Sequence, residues 1–564
     1  MVADLNTRRI GGSGGGPADR RWRLRRRGIA LVVAGMVAAS CGGGGGSDES
    51  GGGPGDEGEP QRGGRVVYAL EAETNGGYCL PEAQLAISGI QVARSIYDTL
   101  TAPDENGDMQ PLLAESVEPN DTFDEWTITL REGVKFHDGT DLNAEVVKNN
   151  LDAYRGQYEA RSSLLFTFVL DNIDTVEATD DLTVTVTTAT PWPAFPAFLY
   201  NDARLGIMGQ AQLDNPDQCD KELVGTGPFQ LKEWKPNDSF VAEKNPDYWQ
   251  EGADGEPLPY LDEIEFQAQP ELSQRIEGLQ TGAYDVAHMQ GGEAESLAQS
   301  AIEGGQIELV INSDFAEVSY LLFNTSEPPF DDKDARLAVT QALDVEEITQ
   351  LRTEGRQEVA TGPFGPGSIG YLEDAGQAPF DLEAAKEHAA AYKEKTGDDI
   401  SFAVPYAGNA EAQASAELYQ SQLAEAGIEM KLQPIDQAAE IDRAIAGDFQ
   451  GLMWRNHPGG DPDQQYVWWH TGSPVNFGRL DDPEIDRLLE AGRVESDPEA
   501  RTEIYQDLNR QFSEGAYNVW VYWTKWGVAS VPGVGGVLGP DVNGAPPFTG
   551  LATGHPVSGM WIAP

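Results

Sequence analysis

Residues 399–454, DISFAVPYAGNAEAQASAELYQSQLAEAGIEMKLQPIDQAAEIDRAIAGDFQGLMW, alternate short apolar runs with longer amphipathic ones. The apolar runs have the length of strands, and the amphipathic runs have the length and periodicity of helices. Asp436 is placed to cap the start of the second helix, and Gly427 and Gly447 are placed to end the two helices. Strand, helix, strand, helix, strand at this spacing predicts a parallel βαβαβ unit with right-handed crossovers.

The segment that follows, WRNHPGGDPDQQYVWWH (454–470), leaves the carboxyl end of the third predicted strand. Open α/β sheets bind their ligands at that end. A tryptophan ring can stack on a ligand, an arginine can clamp a carboxylate, and asparagine and histidine can form hydrogen bonds. We therefore predict that the wall of a binding cleft includes Trp454, Arg455, Asn456 and His457.

Each of these side chains also has a structural alternative. An arginine at a strand end can form an internal salt bridge, and the polar side chains can satisfy the loop itself. Core packing on a helix is predicted for the aromatic residues past the loop, Tyr466, Trp468 and Trp469.

The charge balance is strongly acidic, with 38 Lys and Arg against 93 Asp and Glu and a net charge of −55. Such a chain has no excess of basic residues to neutralise phosphates, so nucleic acid is excluded as an expected partner. A solvated acidic surface is the simplest interpretation of the charge.

The first 40 residues have the pattern of an export signal. Arginines at 20–27 precede an apolar run at 29–39, which is far shorter than the ~20 residues that a membrane-spanning helix needs. Residues 37–41, VAASC, resemble the lipobox of bacterial lipoproteins, which implies lipidation at Cys41; cleavage by an ordinary signal peptidase is the alternative. Residues 41–63 are glycine-rich and lack large apolar side chains, so we predict a flexible tether to the membrane.

Two further cysteines occur, Cys79 and Cys219. In an exported protein an even pair is more often a disulfide than a redox site, and two thiols alone make a poor zinc site. We therefore predict a Cys79–Cys219 bridge.

The N-terminal half has the patterns of a different arrangement. Trp126, Ile128 and Leu130 alternate with polar residues, and two further alternating stretches flank a polar turn at Asp180–Asp181. These patterns predict an antiparallel sheet, and with the later unit they give a mixed α/β chain.

An ordered set of segments resembles the family 5 solute-binding proteins of ABC importers, the dipeptide, oligopeptide and nickel class. The segments are LAESVEPNDTFDEWTITLREGVKFHDGTDLNAEVVKNNL (113–151), VGTGPF (224–229), KNPDYW (244–249), LDEIEF (261–266), LQTGAYDVA (279–287), LLFNTSEPPFDDKDARLAVTQALD (321–344), GGDPD (459–463) and VNFGRLDDPEIDRLL (475–489). They cover nearly all of residues 64–564 in the family's order.

The resemblance implies an α/β fold of the two-lobed periplasmic-binding-protein type II, with an extra subdomain that marks the extra-large class. It implies a discontinuous lobe I, an accessory subdomain and a lobe II, at 64–103 with 220–318 and 526–564, at 104–219, and at 319–525. It also implies a monomer outside the cytoplasm, in the periplasmic space, that closes on a small solute or peptide and delivers it to an ABC permease without a cofactor.

The ligand itself stays open. In the peptide-binding members an acidic residue three positions before the aspartate of the Gly-Asp-Pro-Asp segment pairs with the peptide's ammonium group, and here that position is Pro458. Asp461 or Asp463 could replace the missing acid, although each is also typical of a turn or a helix cap. A peptide, a sugar, an opine-like compound and a chelated metal therefore remain candidates.

The sequence gives weaker support for metal binding and for catalysis. His457, Asp461, Asp463 and His470 are metal-competent residue types, but their spacing does not match a dedicated metal site, so no metal is predicted. No P-loop, G-x-S-x-G elbow or H-E-x-x-H motif occurs, and no enzyme activity is predicted. The alternatives are an exported hydrolase with paired carboxylates, and a binding fold used for signalling or chaperoning.

Overall fold

The structure is a computed structural model that describes residues 59–564, except 75–76, 84, 164–165, 458 and 553–554, and the side chains of 293, 313 and 314. The signal segment, most of the tether with Cys41, and Pro458 therefore lie outside the described residues. Within the described part no helix is both long and apolar enough to span a bilayer.

The strands are β1 (Arg65–Leu70), β2 (Thr101–Pro103), β3 (Met109–Pro111), β4 (Ala114–Pro119), β5 (Glu125–Leu130), β6 (Ile173–Ala178), β7 (Thr183–Thr188), β8 (Phe229–Lys235), β9 (Ser239–Lys244), β10 (Glu263–Ala268), β11 (Val286–Gln290), β12 (Glu308–Phe323), β13 (Ser401–Ala407), β14 (Glu429–Ile435), β15 (Gly451–Asn456), β16 (Asn518–Ser530), β17 (Val534–Gly535) and β18 (Trp561–Ile562). The helices are α1 (Ile87–Ile96), α2 (Ala144–Tyr154), α3 (Thr167–Leu170), α4 (Phe195–Phe198), α5 (Gln210–Leu213), α6 (Leu272–Thr281), α7 (Gly291–Glu303), α8 (Lys333–Ala342), α9 (Val345–Thr353), α10 (Leu382–Thr396), α11 (Ala410–Glu425), α12 (Gln437–Ala446), α13 (Tyr466–Trp469), α14 (Pro483–Val494) and α15 (Pro498–Gly515).

An eight-stranded mixed sheet forms the centre of the described chain, in the order β15-β12-β16-β11-β1-β10-β9-β8. Strand β1 pairs parallel with β10 and β11, and the other neighbours are antiparallel. Fully buried aromatic side chains, including Tyr68, Trp520 and Trp526, lie on its strands. The sheet brings strands from both halves of the sequence side by side, which is what places distant side chains in one site.

The antiparallel region predicted near 126–188 is confirmed as a four-stranded sheet in the order β4-β5-β7-β6. Trp126, Ile128 and Leu130 are buried, as their alternation with polar residues predicts.

The parallel unit predicted at 399–454 is confirmed in part. Strands β13 and β14 pair in parallel around α11, and Asp436 caps α12 by accepting a hydrogen bond from the Ala439 backbone N–H at 2.9 Å. The prediction for the third strand is wrong: β15 pairs antiparallel with β12 in the large sheet. A strand's periodicity shows which face is buried but does not encode its partner, and the long strand β12 supplies an edge here.

The predicted disulfide is present between Cys79 and Cys219, whose Cα atoms lie 5.1 Å apart. Both cysteines are buried. The bridge joins the segment between β1 and α1 to the segment before β8.

Candidate functional site

A cavity of about 270 Å³ lies where strand ends and helix N-termini converge. Its lining includes residues of β12, β15 and β16 and the first turns of α7, α11 and α12. The volume is near the lower end of the usual range for small-molecule sites, about 300–1,000 Å³. Such a cavity suits a compact solute.

Four consecutive residues predicted as a cleft wall, Trp454, Arg455, Asn456 and His457, all line this cavity. They come from the end of β15 and the residue after it. These residues reach the cavity because β15 ends beside it. They do so even though β15 does not pair with the parallel strands that were predicted as its neighbours. The end of β15 therefore lies at the cavity as predicted, although the neighbours predicted for β15 are wrong.

Arg455 forms the centre of a buried ionic cluster in the cavity wall. Its Nη2 donates to both carboxylate oxygens of Glu71 at 3.1 and 3.3 Å, and its Nε lies 3.8 Å from Glu317 Oε2. The guanidinium also lies over the Trp526 ring, 5.4 Å from its centroid. Arg455 thus forms the internal salt bridge that was the structural alternative for it. Its Nη1 has no hydrogen-bond partner among the described residues.

The two carboxylates of this cluster titrate differently. Burial disfavours the ionised form of Glu71, but Arg455 and Arg275 outweigh it and hold the pKa of Glu71 below its usual value. Burial raises the pKa of Glu317, and the attraction of Arg455 offsets this only in part. Two carboxylates therefore share one guanidinium, so the cluster has no surplus positive charge.

His457 is buried beside a second ion pair. Its Nδ1 accepts a hydrogen bond from the Gly459 backbone N–H at 3.0 Å and lies 3.5 Å from Asp202 Oδ1, and Arg204 Nη1 lies 3.2 Å from the other oxygen of Asp202. Burial disfavours the ionised form of Asp202, yet His457 and Arg204 hold its pKa below the usual value. Among the described residues, the His457 Nε2 has no hydrogen-bond partner.

Trp454 and Asn456 play different structural roles in the cavity wall. Trp454 is half-buried and packs edge-on against Phe477, with centroids 5.3 Å apart, and Trp468 packs on the same ring. Asn456 donates to Gln465 Oε1 at 2.9 Å, so its side-chain amide holds the loop. Trp454 therefore supplies an aromatic wall, whereas Asn456 positions the chain.

Asp461 and Asp463 do not line the cavity. Asp461 accepts two hydrogen bonds from Arg501 at 2.6 and 2.7 Å and caps the 3₁₀ turn Pro462–Gln465. Asp463 is fully buried, accepts from Arg493 Nε at 3.1 Å and accepts from the Trp192 indole at 2.7 Å. Burial raises its pKa despite Arg493. Both carboxylates are occupied in holding the loop against its neighbours.

The aromatic residues past the loop divide between core and site. They form the predicted short helix, α13, and Trp469 packs in the core as expected. Trp468 instead lines the cavity. In the described part of the chain no group of three or more His, Cys, Asp or Glu side chains is arranged to hold a metal ion.

Several cavity residues were missed by sequence reasoning, namely Glu71, Arg204, Glu317 and Glu440, as was Asp202, which lies beside His457. Glu71 directly follows β1, so a strand-end argument applied to residues 65–70 would have found it. Glu440 shares the buried face of α12 with Ala444 four residues later, and an acid on an apolar face is a usable signal. The other residues are brought to the site by contacts between segments that are far apart in sequence, so no local sequence pattern predicts them.

The comparisons with known proteins agree on one family. A profile described as "Bacterial extracellular solute-binding proteins, family 5 Middle" matches residues 108–478. The glutathione-binding protein GsiB of Salmonella typhi is 29% identical over 437 residues, covering 74% of this chain and 81% of the relative. GsiB of Escherichia coli O6:K15:H31 is 31% identical over 357 residues, covering 62% of this chain and 66% of the relative.

Two solved structures share the fold of this chain. The binding protein AgaA from A. tumefacien R10, in complex with agropinic acid, superposes with a TM-score of 0.79 at 26% identity, over 89% of this chain and 99% of that one. The oligopeptide-binding protein AppA from Bacillus subtilis, in complex with a nonapeptide, has the same fold, with a TM-score of 0.78 at 22% identity over 90% of this chain and 100% of that one. Together with the profile match, these findings show that the chain belongs to family 5 of the bacterial extracellular solute-binding proteins, which serve ABC importers.

Proposed function

We propose that the cavity beside β15 is the site where this solute-binding protein holds its ligand before delivery to an ABC permease. The observation that carries the proposal is the convergence of Trp454, Arg455 and His457 on one cavity, where unpartnered polar atoms lie beside an aromatic wall. A small peptide-like compound or another compact solute fits its volume. Asn456, Asp461 and Asp463 act by holding the loop.

Trp454→Ala is expected to weaken ligand binding by ~1–3 kcal/mol, because the stacking wall is lost. Titration calorimetry with the compound that co-purifies with the full chain measures the change. Trp454→Phe, which keeps a ring against Phe477, is the matched control and should retain most of the affinity. Full affinity in Trp454→Ala would place the ligand elsewhere.

We also propose that the site lies between two lobes, with lobe I at 64–103, 220–318 and 526–564 and lobe II at 319–525. Strands β12 and β16 cross this division, and their pairing breaks register between Asn312 and Glu317. Phe315 lies in this break with a φ of 52°, which a bulge accommodates. A long strand pair interrupted at the lobe boundary is suited to act as a hinge.

The accessory subdomain is proposed at 104–219. Its contact with lobe II includes the hydrogen bond from the Trp192 indole to Asp463 Oδ2. Arg204, from the same segment, lines the cavity. The subdomain would thus support, from one side, the loop that follows β15 and contains Asp463.

A lipid anchor is proposed at Cys41, which lies outside the described residues. The support is the sequence alone: a short apolar run, a lipobox-like end and a glycine-rich tether at 41–63.

Cys41→Ser is expected to move the protein from the membrane fraction to the soluble extracytoplasmic fraction, because the diacyl anchor cannot form. Fractionation with immunodetection measures this, and Ser47→Ala, a change in the tether that leaves the lipobox and the disulfide intact, is the control. Unchanged membrane retention would show that another element anchors the chain.

We propose further that the protein is a monomer that releases its ligand unchanged and catalyses no reaction. Incubating the full chain with the compound recovered from it tests this, with mass spectrometry before and after. Stoichiometric binding and recovery of the intact compound are expected. Multiple turnovers to a product would favour a hydrolase and contradict the receptor function.

A further inference from the structure

Glu440, in the first turn of α12, is a buried acid without a cationic partner. It lines the cavity and is only 5% exposed. Within the described part of the chain its Oε1 has no hydrogen-bond partner, and no lysine, arginine or histidine there forms a salt bridge with it. A carboxyl group in this position is costly unless something pairs with it.

The helix terminus does not account for this acid. Carboxylates are favourable in the first turn of a helix, but normally when they are solvated. The cap of α12 is already supplied by Asp436, which accepts from the Ala439 N–H at 2.9 Å. Burial raises the pKa of Glu440 to about 8, Arg455 counteracts this only in part, and Glu71 adds to it.

The arginines around the cavity are engaged elsewhere. Arg455 binds Glu71 at 3.1 Å, and Arg204 lies 3.2 Å from Asp202. Arg352 donates to Ser415 Oγ at 3.0 Å. These arginines therefore supply only part of the positive charge that would satisfy Glu440.

We infer that Glu440 is the counter-ion for a positively charged group, an ammonium or a guanidinium, of a compact solute bound in the cavity. This inference rests on the proposed function of the cavity. Asp461 and Asp463, in the loop that follows β15, cannot serve as this counter-ion because Arg501 and Arg493 already hold their carboxylates. The acid that faces the solute is therefore the one on α12. The half-buried Trp454 in the same lining offers an aromatic face for the remainder of such a solute.

The test uses matched probes with the full chain. The probes are L-alanyl-L-alanine, glutathione and putrescine, each compared with its fully N-acetylated form, in which the same amines carry no charge. At least one amine probe is expected to raise the melting temperature, and its acetylated counterpart is not. Titration calorimetry then measures the affinity of that amine probe.

The variants assign the effect to Glu440. Glu440→Gln keeps the shape of the side chain and is expected to lower the affinity for the amine probe by roughly tenfold or more. Glu440→Asp keeps the charge and should retain part of the affinity. Asp442→Asn removes an exposed acid from the same helix and should change nothing. Urea unfolding confirms that each variant folds.

Three results would overturn the inference: equal stabilisation by the acetylated probes, unchanged affinity in Glu440→Gln, or no stabilisation by any amine probe. Recovery of a bound solute that has no cationic group would also overturn it, but would leave the receptor function intact. A wild-type protein that retains no solute of any kind would contradict both.

Discussion

Removal of the Cys79–Cys219 bridge is expected to lower the free energy of unfolding by about 5 kcal/mol. The cysteines are 140 residues apart in sequence, and the chain-entropy relation for a loop of that length gives this value. The double variant Cys79→Ala/Cys219→Ala, compared with wild type by urea unfolding, measures the loss. The two alanines are expected to leave the cavity unchanged, because neither cysteine lines it.

Cys41→Ser serves as the control for loss of a cysteine as such, and it should unfold at the same urea concentration as wild type. A loss below 1 kcal/mol in the double variant would contradict the prediction. So would two reactive thiols in denatured, unreduced protein.

Replacing Arg455 by methionine is expected to cost ~3–5 kcal/mol of stability, because it leaves buried carboxylates at Glu71 and Glu317 without their shared cation. In wild type the pKa of Glu71 is held below its usual value, so its interaction stabilises the fold above the unfolded-state pKa and is lost as pH falls. In the variant both carboxyl groups favour the protonated form. The difference in stability between wild type and variant should therefore shrink as pH falls below about 5.

Urea unfolding at several pH values measures this difference. Adding Glu71→Gln to Arg455→Met is the matched control, because it removes one stranded charge and should recover part of the lost stability. A pH-independent loss, or one below 1 kcal/mol, would show that the cluster contributes little.

The secondary structure of the C-terminal half could be predicted because its periods and caps are local. Asp436 caps α12, and Gly427 and Gly447 have positive φ values of 76° and 72° just past α11 and α12, as their spacing suggests. The partner of β15 could not be predicted from that pattern, because pairing is decided between segments far apart in sequence. Strand β12, which begins at Glu308, supplies that edge.

The residues of the candidate site also divide into those that a local sequence pattern predicts and those that depend on contacts between distant segments. Trp454 to His457 were found because they lie at the end of a strand, which is a local feature. Glu71, the partner of Arg455, lies 384 residues away. No feature of the local sequence around either residue predicts that the two form a salt bridge. Asp461 and Asp463 were assigned to the ligand because their arginine partners at 493 and 501 lie on other helices and carry no matching sequence signal.

The most direct test of the central claim is a crystal structure of the full chain purified with its bound solute. We expect density for a compact compound in the cavity, in contact with Trp454 and within hydrogen-bonding distance of Arg455 or His457. Density for the compound outside the cavity, with none of these residues in contact, would contradict it.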